Sequence, residues 1–177
     1  MRDLAYAIVA LVALQRLVEL RYAQRNTTAL LERGGVEVGR RHYPLIVALH
    51  AAWLLSVVLA LPVPLSIDWS LIVFFGLLQV ARIWIIWSLG PYWTTRIITL
   101  EGVSLVRRGP YRLVRHPNYI VVALEIAALP LAFHEYWIAA GFSLVNGALL
   151  LWRIRQENVA LAPRRALEAV AGGAANE

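Results

Sequence analysis

Five long runs of apolar residues limit what this chain can fold into. The runs cover residues 4–20, 43–61, 69–89, 119–133 and 136–152. An α-helix needs about 20 apolar residues to cross the hydrocarbon core of a bilayer, with a lower limit of about 17. The third run clears this length, the first two are adequate, and the last two are short. The sequence therefore predicts an all-α integral membrane protein with about five transmembrane helices.

The composition agrees with a membrane location. Of the 177 residues, 60% are hydrophobic and only 16% are charged, which leaves too few polar side chains to cover a soluble domain of this length. The chain has no cysteine, so a thiol nucleophile, a disulfide and a cysteine-ligated metal are excluded. The basic residues lie between the apolar runs rather than on one soluble surface, so we expect no nucleic-acid partner.

The arginines predict how the helices are oriented. Arginine-rich segments follow the first run, connect the third run to the fourth, and follow the fifth. On the other side of the membrane there is only Arg2, and the two short connections there contain no arginine. Positively charged segments favour the cytoplasmic side of a membrane. This asymmetry predicts an N-terminus outside and a C-terminus inside.

Two connections and the C-terminal end have features of their own. The sequence RIITLEGVSLV, residues 96–106, alternates weakly around a Glu-Gly turn, which is typical of a short hairpin at the membrane interface. Two residues alone separate the last two apolar runs, which predicts a tight C-terminal helical hairpin. Residues 1–165 are predicted to form a single membrane-embedded domain, and residues 166–177 a disordered tail.

The sequence RGPYRLVRHPNY, residues 108–119, places a basic cluster directly before the fourth apolar run. Proline is favoured at the first position of a helix, where its missing N–H would be unpaired anyway, so we expect this helix to begin at Pro117. Arg112, Arg115 and His116 would then surround the positive end of the helix dipole, a place suited to a carboxylate or phosphate. The alternative is a positively charged anchor that contacts lipid head groups.

Polar residues inside the apolar runs are candidates for a functional site. Asn118 and Glu125 are seven residues apart and project from one face of the fourth helix. A glutamate at this depth is costly unless it faces the interior, which makes it a functional candidate. The alternative is that Glu125 pairs with Arg82 and only holds helices together. His50 in the second run is a weaker candidate, since a lone histidine more often bonds a neighbouring helix.

The fifth predicted helix carries a polar stripe. Asn146, Arg153 and Glu157 share one face, because spacings of seven and four return to the same side of a helix. Arg153 and Glu157 would otherwise form only a surface ion pair. Because this helix leaves the hairpin beside the start of the fourth, we expect their polar residues to converge in one pocket. The four histidines lack the spacing of metal ligands, so we expect no metal.

Two motifs in this order resemble a known family. The sequence GPYRLVRHPNY, followed by an apolar hairpin and then RIRQEN, is similar to the isoprenylcysteine carboxyl methyltransferase family and its bacterial relatives. The resemblance covers about residues 100–161 and implies an enzyme with S-adenosylmethionine as cofactor, bound at the cytosolic face. It departs from the eukaryotic prenylcysteine pattern at Asn158, where that pattern has a second glutamate.

The resemblance also implies roles for individual residues. The residues it implies for the cofactor site are Arg115, His116, Pro117, Tyr119, Glu157 and Asn158. It implies Arg153 and Glu157 as catalytic candidates, to which the polar residues of the apolar runs add Glu125. The residues we expect to contact the substrate are His50, Asn118, Glu125 and Asn146.

The N-terminal half resembles a narrower branch. The segments RLVELRYAQRN and GGVEVGRRHYPLIVALHAAWLL are similar to bacterial members that accompany type III polyketide synthases. This resemblance implies an O-methyltransferase of the bacterial inner membrane, in contact with membrane lipids and acting on an alkylpyrone or alkylresorcinol. A 4-hydroxypyrone would arrive ionised, whereas a resorcinol phenol, with a pKa of about 10 as in tyrosine, would need a base such as Glu125 or Glu157.

Other functions remain open at this stage. The same fold could belong to a prenylcysteine carboxyl methyltransferase, a phospholipid methyltransferase or an NADPH-dependent membrane reductase. In a different class, the chain would be a non-catalytic membrane subunit or a small transporter, in which Glu125, Asn146 and Arg153 are only structural. Binding of S-adenosylmethionine would separate the methyltransferases from the other classes, because neither a reductase nor a transporter needs it. Homo-oligomerisation is also left open.

Overall fold

Five α-helices and a two-stranded sheet make up the part of the chain that the structure describes. The computed structural model describes residues 1–40 and 43–173, with side chains as far as Arg165. In chain order the elements are α1 (Arg2–Glu32), β1 (Val36–Val38), α2 (Tyr43–Ala60), α3 (Trp69–Leu89), β2 (Ile97–Thr99), α4 (Pro117–Ala132) and α5 (Tyr136–Gly173). Short 3-10 turns lie at Gly90–Tyr92 and Gly109–Arg112.

Within the described part of the chain, three helices are long and apolar enough to cross a membrane by length and composition. They correspond to α2, α3 and α5, over Tyr43–Ala60, Trp69–Tyr92 and Tyr136–Arg165. The apolar α4 has 16 residues, fewer than the lower limit of about 17 for a simple span. In α1, which has 31 residues, Arg16 and Glu19 interrupt the apolar pattern. The predicted helical membrane fold is confirmed in its class, and the number of five spans stays a prediction.

Two helix starts follow from the local sequence. Asp68 caps α3, because its carboxylate accepts hydrogen bonds from the backbone N–H groups of Ser70 and Leu71 at 2.9 and 3.2 Å. Pro117 is the first residue of α4, as predicted. The predicted C-terminal hairpin is also present, with α4 ending at Ala132 and α5 packed against it.

The small sheet corrects one prediction. The sequence predicts a hairpin within residues 96–106, but β2 pairs instead with β1 in an antiparallel arrangement. The second half of the predicted hairpin has other partners, because the Arg164 guanidinium of α5 donates to the carbonyl oxygens of Val103 and Ser104 at 2.6 and 2.9 Å. The hairpin prediction is therefore wrong, and residues 96–106 connect β1 on one side to α5 on the other.

The last helix is longer than its apolar run. The α5 backbone is helical through Gly173, which takes it into the segment 166–177 where the sequence predicts a disordered tail. Residues 174–177 of that segment lie outside the described residues. The single domain over residues 1–165 stays a prediction.

A buried ion cluster joins α1, α3 and α4. The Arg82 guanidinium donates to the carboxylates of Glu19 at 2.7 Å and Glu125 at 3.1 Å. Arg16 donates to the same two carboxylates at 3.0 and 2.8 Å, and the Gln79 amide donates to Glu125 at 2.9 Å. Two arginines and two glutamates neutralise each other inside the bundle. The structural pairing of Glu125 with Arg82, which the sequence left as an alternative, is present.

Gly109 holds the connection after β2 against α3, which gives a prediction about stability. Its φ is +57°, and a Cβ at this position would collide with the Ser88 side chain and lie 3.2 Å from Trp84 Nε1. We expect Gly109→Ala to lower the thermal midpoint of the purified protein, because the collision adds about 1–3 kcal/mol to the left-handed backbone strain. In a chain of this size that corresponds to a shift of roughly 5 °C or more.

Gly102→Ala is the matched control for that measurement. Gly102 has a φ of +70°, but no atom of the described residues lies within 4 Å of the Cβ it would gain. Both variants therefore carry the backbone strain, and only Gly109→Ala carries the collision. Equal thermal midpoints for the two variants would show that the connection does not pack against α3 in this way.

Candidate active site

The start of α4 and the middle of α5 meet in a cluster of four side chains. The Tyr119 hydroxyl donates to the Glu157 carboxylate and accepts a hydrogen bond from Arg153 Nε at 2.8 Å. The His116 ring stacks on the Tyr119 ring, with centroids 5.4 Å apart, and His116 Nδ1 lies 3.8 Å from Glu157 Oε1. We call these four residues the Tyr119 cluster. The convergence predicted for the two helices is therefore present.

The remaining predicted cofactor residues lie around this cluster. His116 Nε2 lies 3.3 Å from Asn158 Oδ1, and the same oxygen accepts a hydrogen bond from Arg165 at 3.0 Å. Arg115 lines the cavity beside the cluster. Pro117 is buried and contributes the first residue of α4 rather than a polar group. The predicted residues are thus brought together, and Pro117 begins the helix that carries Tyr119.

A cavity of about 890 Å³ opens beside the Tyr119 cluster, and we call it the outer cavity. Its size lies in the range of about 300–1,000 Å³ that is usual for sites of small molecules and cofactors. Glu157 is the one carboxylate among the described residues that line it. The arginines that line it are Arg96, Arg107, Arg112, Arg115, Arg153, Arg164 and Arg165. Such a cavity suits a ligand with a carboxylate group, while Glu157 offers one place for an ammonium group.

Tyr111 adds a phenol to the outer cavity. The side chain lines the cavity, and burial together with the nearby Glu157 carboxylate raises the pKa of Tyr111. The phenol therefore keeps its proton and can donate a hydrogen bond to a ligand. Its place in the GPYR segment was visible in the sequence, but no pattern there marks it as a site residue.

A second cavity of about 610 Å³ lies between α1, α2 and α5, and we call it the inner cavity. Most of its lining is aliphatic, so it suits a hydrocarbon chain. Three of the predicted substrate residues line it, namely His50, Asn118 and Asn146. The fourth, Glu125, lines neither cavity and is 1% exposed. The structure therefore separates Glu125 from the other predicted substrate residues.

The two cavities share part of their lining, and we call this shared part the junction. The junction residues are Trp93, Thr94, Asn118, Tyr119 and Arg153. A ligand in the outer cavity and a ligand in the inner cavity would therefore meet there. Sequence patterns did not mark Trp93 and Thr94 as site residues, because the connection after α3 carries no motif that shows which of its residues face the helices.

Arg153 is held rigidly at the junction but keeps part of its hydrogen-bonding capacity. Its Nε donates to the Tyr119 hydroxyl, and its Nη2 donates to the Thr95 carbonyl oxygen at 2.7 Å. Its Nη1 is buried and has no partner among the described residues, and the same holds for Asn118 Oδ1. One guanidinium group and one amide oxygen are thus available to a ligand at the junction.

The fold and the two cavities define a helical membrane protein with an arginine-rich site for a small polar ligand beside an apolar site. A family model described as the isoprenylcysteine carboxyl methyltransferase (ICMT) family matches residues 71–163, which is more than half of the chain. The matched segment contains both the RHPNY and the RIRQEN motif. The chain therefore belongs to the ICMT family and is a membrane methyltransferase.

Two curated relatives cover most of the chain. The uncharacterized protein YpbQ of Bacillus subtilis is 38% identical over 160 residues, which are 88% of this chain and 95% of YpbQ. An uncharacterized protein of Haemophilus influenzae is 26% identical over 151 residues, which are 82% of this chain and 88% of that protein. No solved structure gives a significant match. The family resemblance seen in the sequence is confirmed, and the alkylpyrone and alkylresorcinol branch stays a prediction.

Proposed function

We propose that the protein transfers a methyl group from S-adenosylmethionine to an oxygen atom of a lipophilic acceptor, and that transfer takes place at the junction. The observation that carries this proposal is the shared lining of the two cavities, one rich in arginine and the other aliphatic. The polar cofactor would occupy the outer cavity, and the chain of the acceptor would occupy the inner cavity.

The outer cavity fits the charges of the cofactor. The amino-acid end of S-adenosylmethionine has a carboxylate, which suits Arg115 and the positive end of α4. Its ammonium group suits Glu157, the single carboxylate among the described lining residues. Leu100 and Leu161 offer apolar contacts for an adenine ring. When bound, the cofactor supplies a methyl group on a positively charged sulfur atom.

Arg153 would position the acceptor. Methyl transfer is an in-line displacement, for which correct alignment of the reacting groups can contribute about 7–11 kcal/mol. The Nη1 group of Arg153 has no partner among the described residues and can bind an anionic oxygen at the junction. This arrangement favours an acceptor that arrives ionised, such as a carboxylate or a 4-hydroxypyrone.

Two acceptor classes satisfy this requirement. The resemblance of the N-terminal half favours an alkylpyrone, and the family match is at least as compatible with a prenylcysteine carboxylate. An alkylresorcinol fits less well, because it needs a base. Glu157 already accepts the Tyr119 hydrogen bond, and Glu125 is bound in the ion cluster. We therefore assign a structural role to Glu125 in place of a catalytic one. We assign a substrate-binding role to His50 and Asn146, because both line the inner cavity.

The proposal also implies how the protein is oriented in the membrane. The arginines that surround the outer cavity belong to the segments expected on the cytoplasmic side. With the N-terminus outside and the C-terminus inside the bacterial inner membrane, the outer cavity opens to the cytosol, where a soluble cofactor can enter. The inner cavity then lies within the bilayer, where a lipophilic acceptor can enter from the lipid.

The first test is calorimetric titration of the purified protein with S-adenosylhomocysteine, the demethylated cofactor. We expect the wild type to bind it and Glu157→Gln to bind it about tenfold to a hundredfold more weakly, because a charged hydrogen-bonding partner of the ammonium group is lost. Glu101→Gln is the matched control, since it removes the same charge from an exposed turn that lines neither cavity.

The outcome decides between the classes of function. Binding by the wild type and the control, with weak binding by Glu157→Gln, supports both the cofactor and its site. If the folded wild type does not bind S-adenosylhomocysteine, the proposal is wrong, and titration with NADPH then tests the reductase reading. Transfer of a labelled methyl group to an alkylpyrone or to a prenylcysteine identifies the class of acceptor.

A further inference from the structure

Two polar side chains in the inner cavity have hydrogen-bonding groups without a protein partner. Asn146 is 2% exposed, lines the inner cavity, and makes no hydrogen bond to any described residue. His50 Nδ1 lies 2.8 Å from the Ile46 carbonyl oxygen and donates to it, because a carbonyl oxygen can only accept. In a neutral imidazole the other nitrogen, Nε2, is then an acceptor, and it has no partner among the described residues.

Helix spacing places these two side chains at a similar depth, about 10 Å from the junction. Asn146 precedes Arg153 by seven residues on α5, and His50 follows Tyr43 by seven residues on α2. Tyr43 and Arg153 lie at one level, since Thr95 contacts the Tyr43 hydroxyl at 3.4 Å and its carbonyl oxygen accepts from Arg153. With a rise of about 1.5 Å per residue, seven helical residues span about 10 Å.

The lining around this level is apolar on both sides. Between the junction and this level lie Ile46, Val47, Leu149 and Leu150, and beyond it lie Leu54 and Val58. The charged side chains that line this cavity outside the junction are Arg16, Glu19 and Arg82 of the ion cluster, which bind one another, although Arg16 Nε is buried without a partner among the described residues. Inside hydrocarbon an unpaired polar group is costly, so it favours a ligand atom that can pair with it.

We propose that the acceptor carries a second oxygen function, a hydroxyl or a carbonyl, which Asn146 and His50 bind inside the membrane. This inference rests on the proposed function, because the junction sets the position of the methylated oxygen. An extended chain advances about 1.2 Å per bond, so the carbon that bears the second oxygen lies roughly eight to nine bonds from the methylated oxygen. Hydrocarbon continues on both sides of it. Within the acceptor classes named above, the inference selects members whose chain is oxygenated, because a plain alkyl or prenyl chain would leave Asn146 and His50 unpaired.

Positional isomers of a hydroxy fatty acid test this directly. Stearate has a carboxylate that Arg153 can bind, and its 9-hydroxy and 14-hydroxy derivatives differ only in the depth of the hydroxyl group. The two isomers partition similarly into lipid, so binding can be compared at equal mole fraction with the protein in nanodiscs. We expect 9-hydroxystearate to bind about fivefold to tenfold more tightly than 14-hydroxystearate, because it gains the hydrogen bond to Asn146 or His50.

Substitutions of Asn146 and His50 test whether these two residues cause the preference for 9-hydroxystearate. Asn146→Leu and His50→Phe should each reduce the preference for 9-hydroxystearate. Ser143→Ala is the matched control, since the Ser143 hydroxyl is also on α5, buried and without a partner among the described residues, but lines neither cavity. It should leave the preference unchanged. The comparison of the isomers on the wild type needs no variant, so it is decisive even where a variant fails to fold.

The result that overturns the inference is distinct from the result that overturns the proposed function. Equal affinity of the wild type for both isomers, no binding of any of the three acids, or a preference that persists in both variants would each overturn the second oxygen site. A titration with S-adenosylhomocysteine on the same nanodiscs reports on the proposed function. Binding of S-adenosylhomocysteine without a preference between isomers would overturn this inference alone.

Discussion

Replacing Arg153 by alanine is expected to lower methyl transfer by about 10²-fold, the loss that misplacing a reacting group by about 1 Å can cause. The affinity for S-adenosylhomocysteine should change much less, because six other arginines among the described residues line the outer cavity. The expected result is therefore a loss of transfer with the cofactor still bound. This result distinguishes the role of Arg153 from that of Glu157, because substitution of Glu157 should weaken cofactor binding itself.

The physical reason lies in how Arg153 is fixed. Two of its three nitrogen atoms are bound, Nε to Tyr119 and Nη2 to the Thr95 carbonyl oxygen, so the side chain is already oriented before a ligand arrives. Its third nitrogen, Nη1, faces no described partner. A lysine at this position has a single terminal charge and cannot make these contacts together. Arg153→Lys should therefore recover only a small part of the transfer rate.

The measurement is single-turnover transfer of a labelled methyl group in nanodiscs, with whichever acceptor the wild type methylates. Arg155→Ala is the control, because Arg155 is exposed on the same helix and lines neither cavity. It removes the same charge and should leave the rate nearly unchanged. Transfer by Arg153→Ala at the wild-type rate would remove Arg153 from the reaction and place the acceptor elsewhere.

The start of α4 and the Tyr119 cluster could be predicted because their signals are local. Pro117 sets the first residue of the helix, so Tyr119 falls in its first turn. Arg153 and Glu157 are four residues apart on α5 and therefore reach the same neighbour. A tight hairpin brings the two helices together. Motif, helix start and hairpin thus specify most of the cluster without any long-range information.

The part of the junction formed by Trp93 and Thr94 could not be predicted, because its position depends on contacts between distant parts of the chain. Asn26 of α1 donates to the carbonyl oxygens of Gly90 and Trp93 at 3.1 and 2.9 Å and holds the connection after α3 in place. The pairing of β1 with β2 is equally distant in sequence. A short, weakly alternating segment does not show which partner it will pair with, which is why the predicted hairpin was wrong.

Glu125 illustrates a different limit of local patterns. Its depth in an apolar run marked it as a functional candidate, and Arg82 was the structural alternative. The sequence did not show that Arg16 of α1 would also reach it, because nothing local places α1 beside α4. With Arg16, Arg82 and Gln79 all bound to it, Glu125 has the partners that a buried carboxylate needs for stability.

Replacing Glu125 by glutamine is therefore expected to destabilise the protein strongly. Arg16 and Arg82 would share the single remaining carboxylate of Glu19, and breaking a buried ion pair from one side costs about 3–5 kcal/mol. For a chain of this size that corresponds to a fall in thermal midpoint of roughly 6–20 °C. Glu101→Gln, which removes an exposed carboxylate, should leave the midpoint within a few degrees, since isolated surface charges contribute about 0–1 kcal/mol.

A second substitution tests whether the instability comes from the unpaired charge. Combining Glu125→Gln with Arg16→Gln leaves one arginine, Arg82, with one glutamate, Glu19, and restores neutrality, so much of the lost stability should return. Below its thermal midpoint, folded Glu125→Gln should still transfer methyl groups, because the residue lines neither cavity. Loss of transfer with an unchanged midpoint would contradict the structural assignment and give Glu125 a role in the reaction.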